Sequence, residues 1–239
     1  MMPYPSKFKL LLMHTVYIVS HTQPSKDFEM HRLYACLSSG NCMKPWLAMN
    51  QLGTEFELSL IDVLNGEHKQ PAYQKINPLG VLPYMITESG VGIGESNAML
   101  WYLCEDTTLM PPTATGRAAA LQWMFFEQSK LEPFISPARF FTTILPDQKD
   151  SRAQDISQWQ EAAKTGLAFL DSGLGKHPFL LETGYCLADI AVFGYVHVIE
   201  EAGIALSEYP NINNWVDRVT KTDRFTPLSD LQARSRKAA

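Results

Sequence analysis

Strong net charge, paired cysteines and long apolar runs are all missing from this sequence of 239 residues. Lys and Arg number 20 against 25 Asp and Glu, for a formal net charge of −5, which argues against nucleic acid as the main partner. The cysteines are Cys36, Cys42, Cys104 and Cys186, and none of them forms a Cys-x-x-Cys pair. A chain this long needs no disulfides for stability, so we expect free thiols in a reducing cytosol.

One stretch near the N-terminus superficially resembles a targeting segment. Residues 8–18 are mostly apolar, but the run is too short to span a bilayer, and no small-x-small cleavage site follows it. We therefore interpret residues 1–29 as a poorly ordered N-terminal extension and expect no membrane association. A cryptic export signal is the alternative.

A strand, a helix and a second strand follow the extension. Residues 31–37 form an apolar run of strand length. A helix is predicted from about residue 41 to 52, and Pro45 is acceptable only in its first turn, which places the helix start near Cys42. Alternation over residues 56–60 indicates the second strand. This order predicts a right-handed crossover and parallel pairing of the two strands.

A proline-bearing strand and an abrupt helix start come next. Strands are predicted at 81–86 and 91–93, and Pro83 within the first cannot donate to a sheet ladder. It belongs at a sheet edge or at a special turn, where a cis bond is an option. Glu95 and Ser96 then present a carboxylate, a hydroxyl and free N–H groups at one helix N-terminus. Such a site suits a ligand with an amino and a carboxylate end, although a simple N-cap explains the pair as well.

The composition changes after about residue 106. Residues 30–106 are predicted to form an α/β domain with a four-stranded mixed sheet, and residues 107–115 read as a linker. Residues 116–235 show only helical periodicities and predict an all-α domain. Its helices are expected at residues 117–131, 133–143, 151–172, 187–202 and 211–222.

Several motifs, in this order and spacing, resemble the glutathione S-transferase superfamily. They are SSGNCMKP after the first strand, NPLGVLP before the third, ESNAMLWYL at the third helix and ADIAVFGYV in the helical region. Residues 30–105 resemble the thioredoxin-like domain of that superfamily and residues 116–225 its helical domain. The FFEQ…EPFISPARFF stretch is similar to a bacterial branch.

The resemblance implies a binding site for glutathione. Leu82, before a cis-proline at Pro83, would pair its backbone with the cysteinyl part, as an added strand does. Glu95 would take the ammonium of the γ-glutamyl end and Ser96 its carboxylate. The glycine carboxylate would be contacted from the polar segment His68, Lys69 and Gln70.

The resemblance also implies catalysis by lowering the thiol pKa of glutathione, with a donor just after the first strand. Ser39 is the first candidate and Asn41 the second, and Gly40 would let the substrate approach closely. Alternatively, the serines here merely cap the helix. We interpret Cys42 as a packed helix residue rather than as a nucleophile.

A second-substrate pocket is expected between the domains. Trp123, Phe126 and Arg139 are its candidate residues, although aromatic residues at helical spacing also suit a core. Arg139 would either pair with Glu127 or Glu132 or face an anionic substrate. The neighbouring Met124, Phe134, Phe140 and Phe141 could also line the pocket.

The resemblance implies a cytoplasmic glutathione S-transferase that acts on small hydrophobic electrophiles or reduces peroxides or disulfides. It would use glutathione as co-substrate and no metal, and it would form a homodimer. The alternatives are a non-catalytic binding or regulatory protein, or a glutathione-dependent isomerase, dehalogenase or ether-cleaving enzyme. The chain departs from the family pattern at Trp46, where many relatives carry arginine, and at Cys186, where a Ser or Thr cap is usual; the thiol should weaken that cap by roughly 1 kcal/mol.

Overall fold

The structure is a computed structural model that describes residues 29–231. The extension expected over residues 1–29 lies outside the described residues, apart from Glu29. A small mixed sheet with helices is followed by an all-helical region, which confirms the predicted thioredoxin-like domain and all-α domain. None of the helices in the described part is long and apolar enough to cross a membrane.

The sheet has four short strands in the order β2-β1-β3-β4. β1 pairs in parallel with β2, from His31 opposite Phe56 to Ala35 opposite Leu60, which confirms the predicted parallel pairing. β3 runs antiparallel to both β1 and β4. The strands are β1 His31–Ala35, β2 Phe56–Leu60, β3 Tyr84–Ile86 and β4 Gly92–Ile93.

β3 begins at Tyr84, so the predicted strand start at residue 81 is wrong. Pro83 has no N–H to donate to a ladder. The carbonyl of Val81 is also engaged elsewhere, because the Tyr73 hydroxyl and the Asn77 amide both donate to it at 2.9 Å. The segment before β3 is therefore a loop that these side-chain hydrogen bonds fix in place, rather than a strand.

The first helix starts earlier than predicted. α1 runs from Gly40 to Leu52, and the Ser39 hydroxyl caps it by accepting from the Cys42 N–H at 3.3 Å. Because a capping side chain defines the first turn, Pro45 falls beyond that turn and removes one helical hydrogen bond. The predicted start at about residue 41 is within one residue of the observed start, but the expectation that Pro45 lies in the first turn is wrong.

The remaining helices follow the predicted order, but their bounds differ from the predicted ones. The predicted helices 117–131 and 133–143 each end in a single π-helical turn, Glu127–Leu131 and Phe140–Ile144. The predicted helix 187–202 ends at Val196. The helices are α2 Pro71–Gln74, α3 Ser96–Cys104, α4 Ala114–Phe126, α5 Glu132–Arg139, α6 Ala153–Leu174, α7 Leu187–Val196 and α8 Pro210–Thr220.

Two glycines let α1 and α7 cross at backbone contact. A Cβ at Gly40 would lie 2.4 Å from the carbonyl oxygen of Gly194, and a Cβ at Gly194 would lie 2.7 Å from the carbonyl oxygen of Gly40. No side chain fits at those distances. The expectation that Gly40 lets a substrate approach is therefore wrong, since its missing side chain makes room for α7.

A buried ion pair joins α1 to the helical domain. Lys44 Nζ lies 2.7 Å from Glu127 Oε2, and neither side chain is accessible to solvent. Gln128 donates to the same Glu127 oxygen at 2.8 Å. Burial lowers the pKa of Lys44, and the Glu127 charge opposes that change. The alternative that Glu127 pairs with Arg139 is wrong.

The two departures from the family pattern lie in the core. Trp46 is buried and its indole N–H donates to the carbonyl of Pro227 at 3.2 Å. Cys186 is the N-cap residue before α7, and its N–H donates to Asp189 at 3.0 Å. Asp189 also accepts from Leu180 and Trp215. Burial raises the pKa of Asp189 to about 6.

Replacing Lys44 with methionine should destabilise the fold strongly, because Glu127 would remain as a buried charge without its cation. We expect a loss of about 3–5 kcal/mol in the free energy of unfolding, measured by urea denaturation. Lys164→Met is the matched control, since the Lys164–Glu161 pair is exposed and should change stability by less than about 1 kcal/mol. Equal effects of the two substitutions would contradict the structural role of the buried pair.

Candidate active site

A cavity of about 710 Å³ lies where the loop after β1, the segment after β2, the loop before β3 and α5 meet. Both domains contribute to its wall, since Ser39 and Leu82 come from the first and Glu132 and Arg139 from the second. Of the predicted site residues, the cavity brings together Ser39, Asn41, His68, Lys69, Leu82 and Arg139.

Ser39 lies at the point where β1 gives way to α1. Its hydroxyl oxygen accepts from the Cys42 N–H, so Ser39 does cap α1. A hydroxyl that accepts in this way still has its own hydrogen to donate. Ser39 also lines the cavity next to the N-terminus of α1, whose dipole favours negative charge there. The two interpretations of Ser39 are therefore compatible.

Asn41 is held on both sides of its amide group. Its oxygen accepts from the Ser96 hydroxyl at 3.1 Å, and its nitrogen lies 3.5 Å from a Glu132 carboxylate oxygen. Burial raises the pKa of Glu132, and the neighbouring Glu127 charge adds to that effect. Sequence reasoning missed this role of Glu132, because only folding brings α5 against the start of α1.

Arg139 supports the loop after β1. Its guanidinium donates to the carbonyl oxygen of Ser38 and pairs with Glu201 at 2.8 Å, and the residue is 4% exposed. Ser38 has a φ of 70°, a backbone conformation that L-residues rarely adopt. The expected pairing of Arg139 with Glu127 or Glu132 is wrong, since Glu201 is the partner.

The far wall of the cavity carries His68, Lys69 and Leu82. Lys69 Nζ donates to the carbonyl oxygen of Gly80 at 3.0 Å, which ties this segment to the loop before β3. Desolvation, followed by the charge of Lys69, lowers the pKa of His68. The Leu82–Pro83 peptide bond is cis, which was one of the predicted alternatives for Pro83.

Three of the predicted contacts lie beside the cavity rather than on its wall. Pro83 and Ser96 are buried, and Ser96 reaches the wall only through its hydrogen bond to Asn41. Glu95 is exposed, with a φ of 59°, and its side chain makes no capping hydrogen bond to α3. Glu95 is thus an exposed carboxylate at a helix N-terminus.

Trp123 and Phe126 do not line the cavity formed by the described residues. Their ring centroids are 5.4 Å apart, and Phe126 lies 5.2 Å from Phe169 of α6. The helical spacing was recognised correctly, but this face of α4 packs against α6. Phe140, at the end of α5, does line the cavity.

Within residues 29–231, no group of three or more His, Cys, Asp or Glu side chains is placed to hold a metal ion. The cavity wall offers the hydroxyl of Ser39 and the amide of Asn41 beside the N-terminus of α1, and the ammonium of Lys69 on the far wall. Such a set can stabilise an anion or a thiolate.

Comparison with known proteins identifies the family. The chain matches the family "Glutathione S-transferase, N-terminal domain" over residues 38–106 and "Glutathione S-transferase, C-terminal domain" over residues 153–218. A glutathione S-transferase structure from Pseudomonas fluorescens Pf-5 is 34% identical, with a TM-score of 0.80, covering 83% of this chain and 98% of that one. The chain belongs to the glutathione S-transferase superfamily.

Two further relatives carry names or titles that describe a reaction or a ligand. The disulfide-bond oxidoreductase YfcG of Escherichia coli K12 is 28% identical over 186 residues, covering 75% of this chain and 85% of that protein. A glutathione transferase from Burkholderia graminis is 26% identical, with a TM-score of 0.72, covering 82% of this chain and 85% of that one. That structure has two glutathione molecules bound per subunit.

Replacing Arg139 with lysine should loosen the loop after β1 in this member of the superfamily. Lysine keeps a positive charge near Glu201 but lacks the guanidinium fork that also reaches the Ser38 carbonyl. We expect faster amide hydrogen exchange over residues 37–41, measured by mass spectrometry. Arg152→Lys is the control, because Arg152 pairs with Asp155 on the exposed surface. Unchanged exchange in the Arg139 variant would contradict its role as a support.

Proposed function

We propose that this glutathione S-transferase binds glutathione in the described cavity and activates its thiol as a nucleophile. The observation that carries the proposal is the meeting of Ser39, Asn41 and the N-terminus of α1 on one wall of that cavity. Hydroxyl and amide donors beside a helix N-terminus are what a thiolate needs. The glutathione bound in the Burkholderia graminis relative supports the choice of ligand.

In the proposed complex, glutathione lies extended across the cavity. The backbone of its cysteinyl part pairs with Leu82, whose peptide bond to Pro83 is cis. The glycine carboxylate faces His68 and Lys69, which carry the donors of the far wall. At the other end, the γ-glutamyl group reaches Glu95 and Ser96.

The polar chain from Ser96 through Asn41 to Glu132 would link binding to activation. Since Ser96 and Glu132 hold the two ends of the Asn41 amide, a ligand that engages Ser96 also affects the orientation of Asn41. Ser39 supplies the other donor to the sulfur. Asn41 thus either contacts the thiolate itself or orients the γ-glutamyl end.

We propose disulfide reduction as the principal reaction, because the relative YfcG is named a disulfide-bond oxidoreductase. The glutathione thiolate attacks one sulfur of the substrate disulfide, the S–S bond breaks, and the other sulfur leaves as a thiolate that takes up a proton. The first attack leaves a mixed disulfide between glutathione and the substrate. The thiolate of a second glutathione attacks the glutathione sulfur of that mixed disulfide, forms glutathione disulfide, and releases the remaining half of the substrate as a thiolate that takes up a proton. The same thiolate would also attack small hydrophobic electrophiles or reduce peroxides.

The broader expectations stay predictions. They are a cytoplasmic homodimer, a glutathione-binding domain over residues 30–106, a linker over 107–115 and a helical domain over 116–235. The second-substrate role of Arg139 is less favoured, because its guanidinium is engaged by Ser38 and Glu201.

Replacing Glu95 with glutamine should weaken glutathione binding by about tenfold or more, because a charge-assisted hydrogen bond to the ammonium would be lost. Isothermal titration calorimetry measures the dissociation constant. Glu105→Gln is the matched control, since Glu105 is exposed at the opposite end of the same helix, α3. If Glu95→Gln and Glu105→Gln bind glutathione equally well, the γ-glutamyl assignment is wrong.

Replacing Ser39 with alanine should lower kcat/KM by roughly 10²-fold and raise the apparent pKa of bound glutathione, because a donor to the thiolate is lost. Both effects are measured from the pH dependence of kcat/KM for the second substrate at saturating glutathione. Thr113→Ala is the control for the lost helix cap, since Thr113 caps α4 in the same way and lies outside the cavity wall. A pH profile shared by both variants would mean that Ser39 acts only as a cap.

The same assays separate the reaction classes. Rates with a mixed disulfide, a peroxide and an aromatic halide distinguish reductase from transferase chemistry. Glutathione binding without turnover of any of them would favour the non-catalytic alternative.

A further inference from the structure

Two thiols meet under the loop that carries Ser39. Cys36 follows β1, is half-buried and lines the cavity, whereas Cys42 lies in the first turn of α1 and is fully buried. Their sulfur atoms are 3.9 Å apart and both thiols are free. Cys104 and Cys186 lie elsewhere in the core, and burial raises the pKa of each to about 12. Cys36 and Cys42 are therefore a distinct pair.

The surroundings of the two thiols differ, and they suit Cys36 to attack a disulfide first. The hydrogen bond with the Cys42 thiol lowers the pKa of Cys36 and burial opposes that effect, while Ser39 and the positive charge of Arg139 lower the pKa further. Cys36 is also the thiol that a molecule in the cavity can reach. Because the thiolate is the nucleophile in disulfide exchange, Cys36 is suited to attack first.

Cys42 is suited to act second. Burial, followed by the neighbouring sulfur of Cys36, raises the pKa of Cys42 well above its ordinary value. Once Cys36 is part of a disulfide, it no longer carries the negative charge that raises the pKa of Cys42. The Cys36 N–H, 3.4 Å from the Cys42 sulfur, and the N-terminus of α1 then favour a thiolate on Cys42.

We propose that Cys36 and Cys42 form a redox-active dithiol that exchanges with disulfides entering the cavity, glutathione disulfide among them. The Cys36 thiolate attacks one sulfur of the incoming disulfide, forms a mixed disulfide and releases the other half as a thiolate. Cys42 then attacks the Cys36 sulfur, releases the second half and gives up its proton to solvent. The protein gains an internal disulfide, and the incoming disulfide is reduced to two thiols.

The geometry requires only a local movement. A disulfide needs its sulfur atoms about 2.05 Å apart, so the two must approach by about 2 Å from their present separation. We expect rotation of the half-buried Cys36 side chain toward Cys42 to bring the sulfur atoms together. The new bond would span the loop that holds Ser39 and Asn41. Only the naming of glutathione disulfide as an oxidant rests on the proposed function.

The test begins with the full-length protein at graded ratios of reduced to oxidised glutathione. Free thiols are alkylated in denaturant and the protein is digested with trypsin. We expect Cys36 and Cys42 to form an internal disulfide as the proportion of oxidised glutathione increases. Cys104 and Cys186 should remain free thiols and be alkylated at every ratio. If Cys36 and Cys42 also stay alkylated at every ratio and with a second, small neutral disulfide, bis(2-hydroxyethyl) disulfide, the proposal fails.

Trypsin reports the pair directly. It leaves both cysteines on one peptide, residues 33–69, because cleavage follows Arg32 and Lys69 while Lys44 precedes a proline. Formation of the disulfide removes two hydrogens from that peptide and prevents its alkylation. This measurement needs no substitution and is therefore independent of any folding defect in a variant.

Substitutions then separate the two roles. Cys42→Ala should accumulate a stable glutathionyl adduct on Cys36, because the resolving thiol is absent, and Cys36→Ala should accumulate none. Cys104→Ala is the control and should oxidise as the wild type does. A glutathionyl adduct on Cys42 in the Cys36→Ala variant would overturn the assignment of Cys36 as the attacking thiol.

The second oxidant distinguishes failure of this proposal from failure of the proposed function. If bis(2-hydroxyethyl) disulfide oxidises Cys36 and Cys42 but glutathione disulfide does not, the dithiol stands and the glutathione site is wrong. If glutathione binds normally by calorimetry but neither disulfide oxidises the pair, the glutathione site stands and the dithiol is wrong.

Discussion

The buried ion pair between Lys44 and Glu127 is the constraint on which the site depends. Its charges are inaccessible to water, and an unpaired charge in that position would cost several kcal/mol. The pair therefore holds α1 against the turn that joins α4 to α5. Ser39 precedes Lys44 along α1, and Glu132 follows Glu127 at the start of α5, so their separation across the cavity depends on the pair.

In the two proposals, the loop after β1 serves two sulfur chemistries with one set of polar groups. The N-terminus of α1, the Ser39 hydroxyl and the guanidinium of Arg139 all lie near it. These groups would stabilise a thiolate of bound glutathione. Beside the hydrogen bond with the Cys42 thiol, Ser39 and Arg139 also lower the pKa of Cys36. A local positive potential does not distinguish a ligand's sulfur from the protein's own, so a nearby cysteine acquires reactivity from the site.

Much of the first domain could be predicted from local patterns, and the contacts of the second could not. Alternation and an apolar run located β1 and β2, because strand period is a local property. Helical spacing placed Trp123 and Phe126 on one face of α4 but could not indicate that α6 covers it. Arg139 likewise pairs with Glu201 rather than with Glu127 or Glu132, which are closer in sequence. Periodicity indicates that a face is buried, not which element buries it.

The sequence by itself determined the order of strands and helices, the family, and the segments that supply Ser39, Asn41 and Leu82. The tertiary structure decided that Asn41 lies between Ser96 and Glu132, that Gly40 makes room for α7, and that Cys36 lies 3.9 Å from Cys42 at the cavity. Local patterns arise from backbone geometry over a few residues. Side-chain partners and thiol reactivity depend on burial and charge contributed by residues distant in sequence, which only the packed chain brings together.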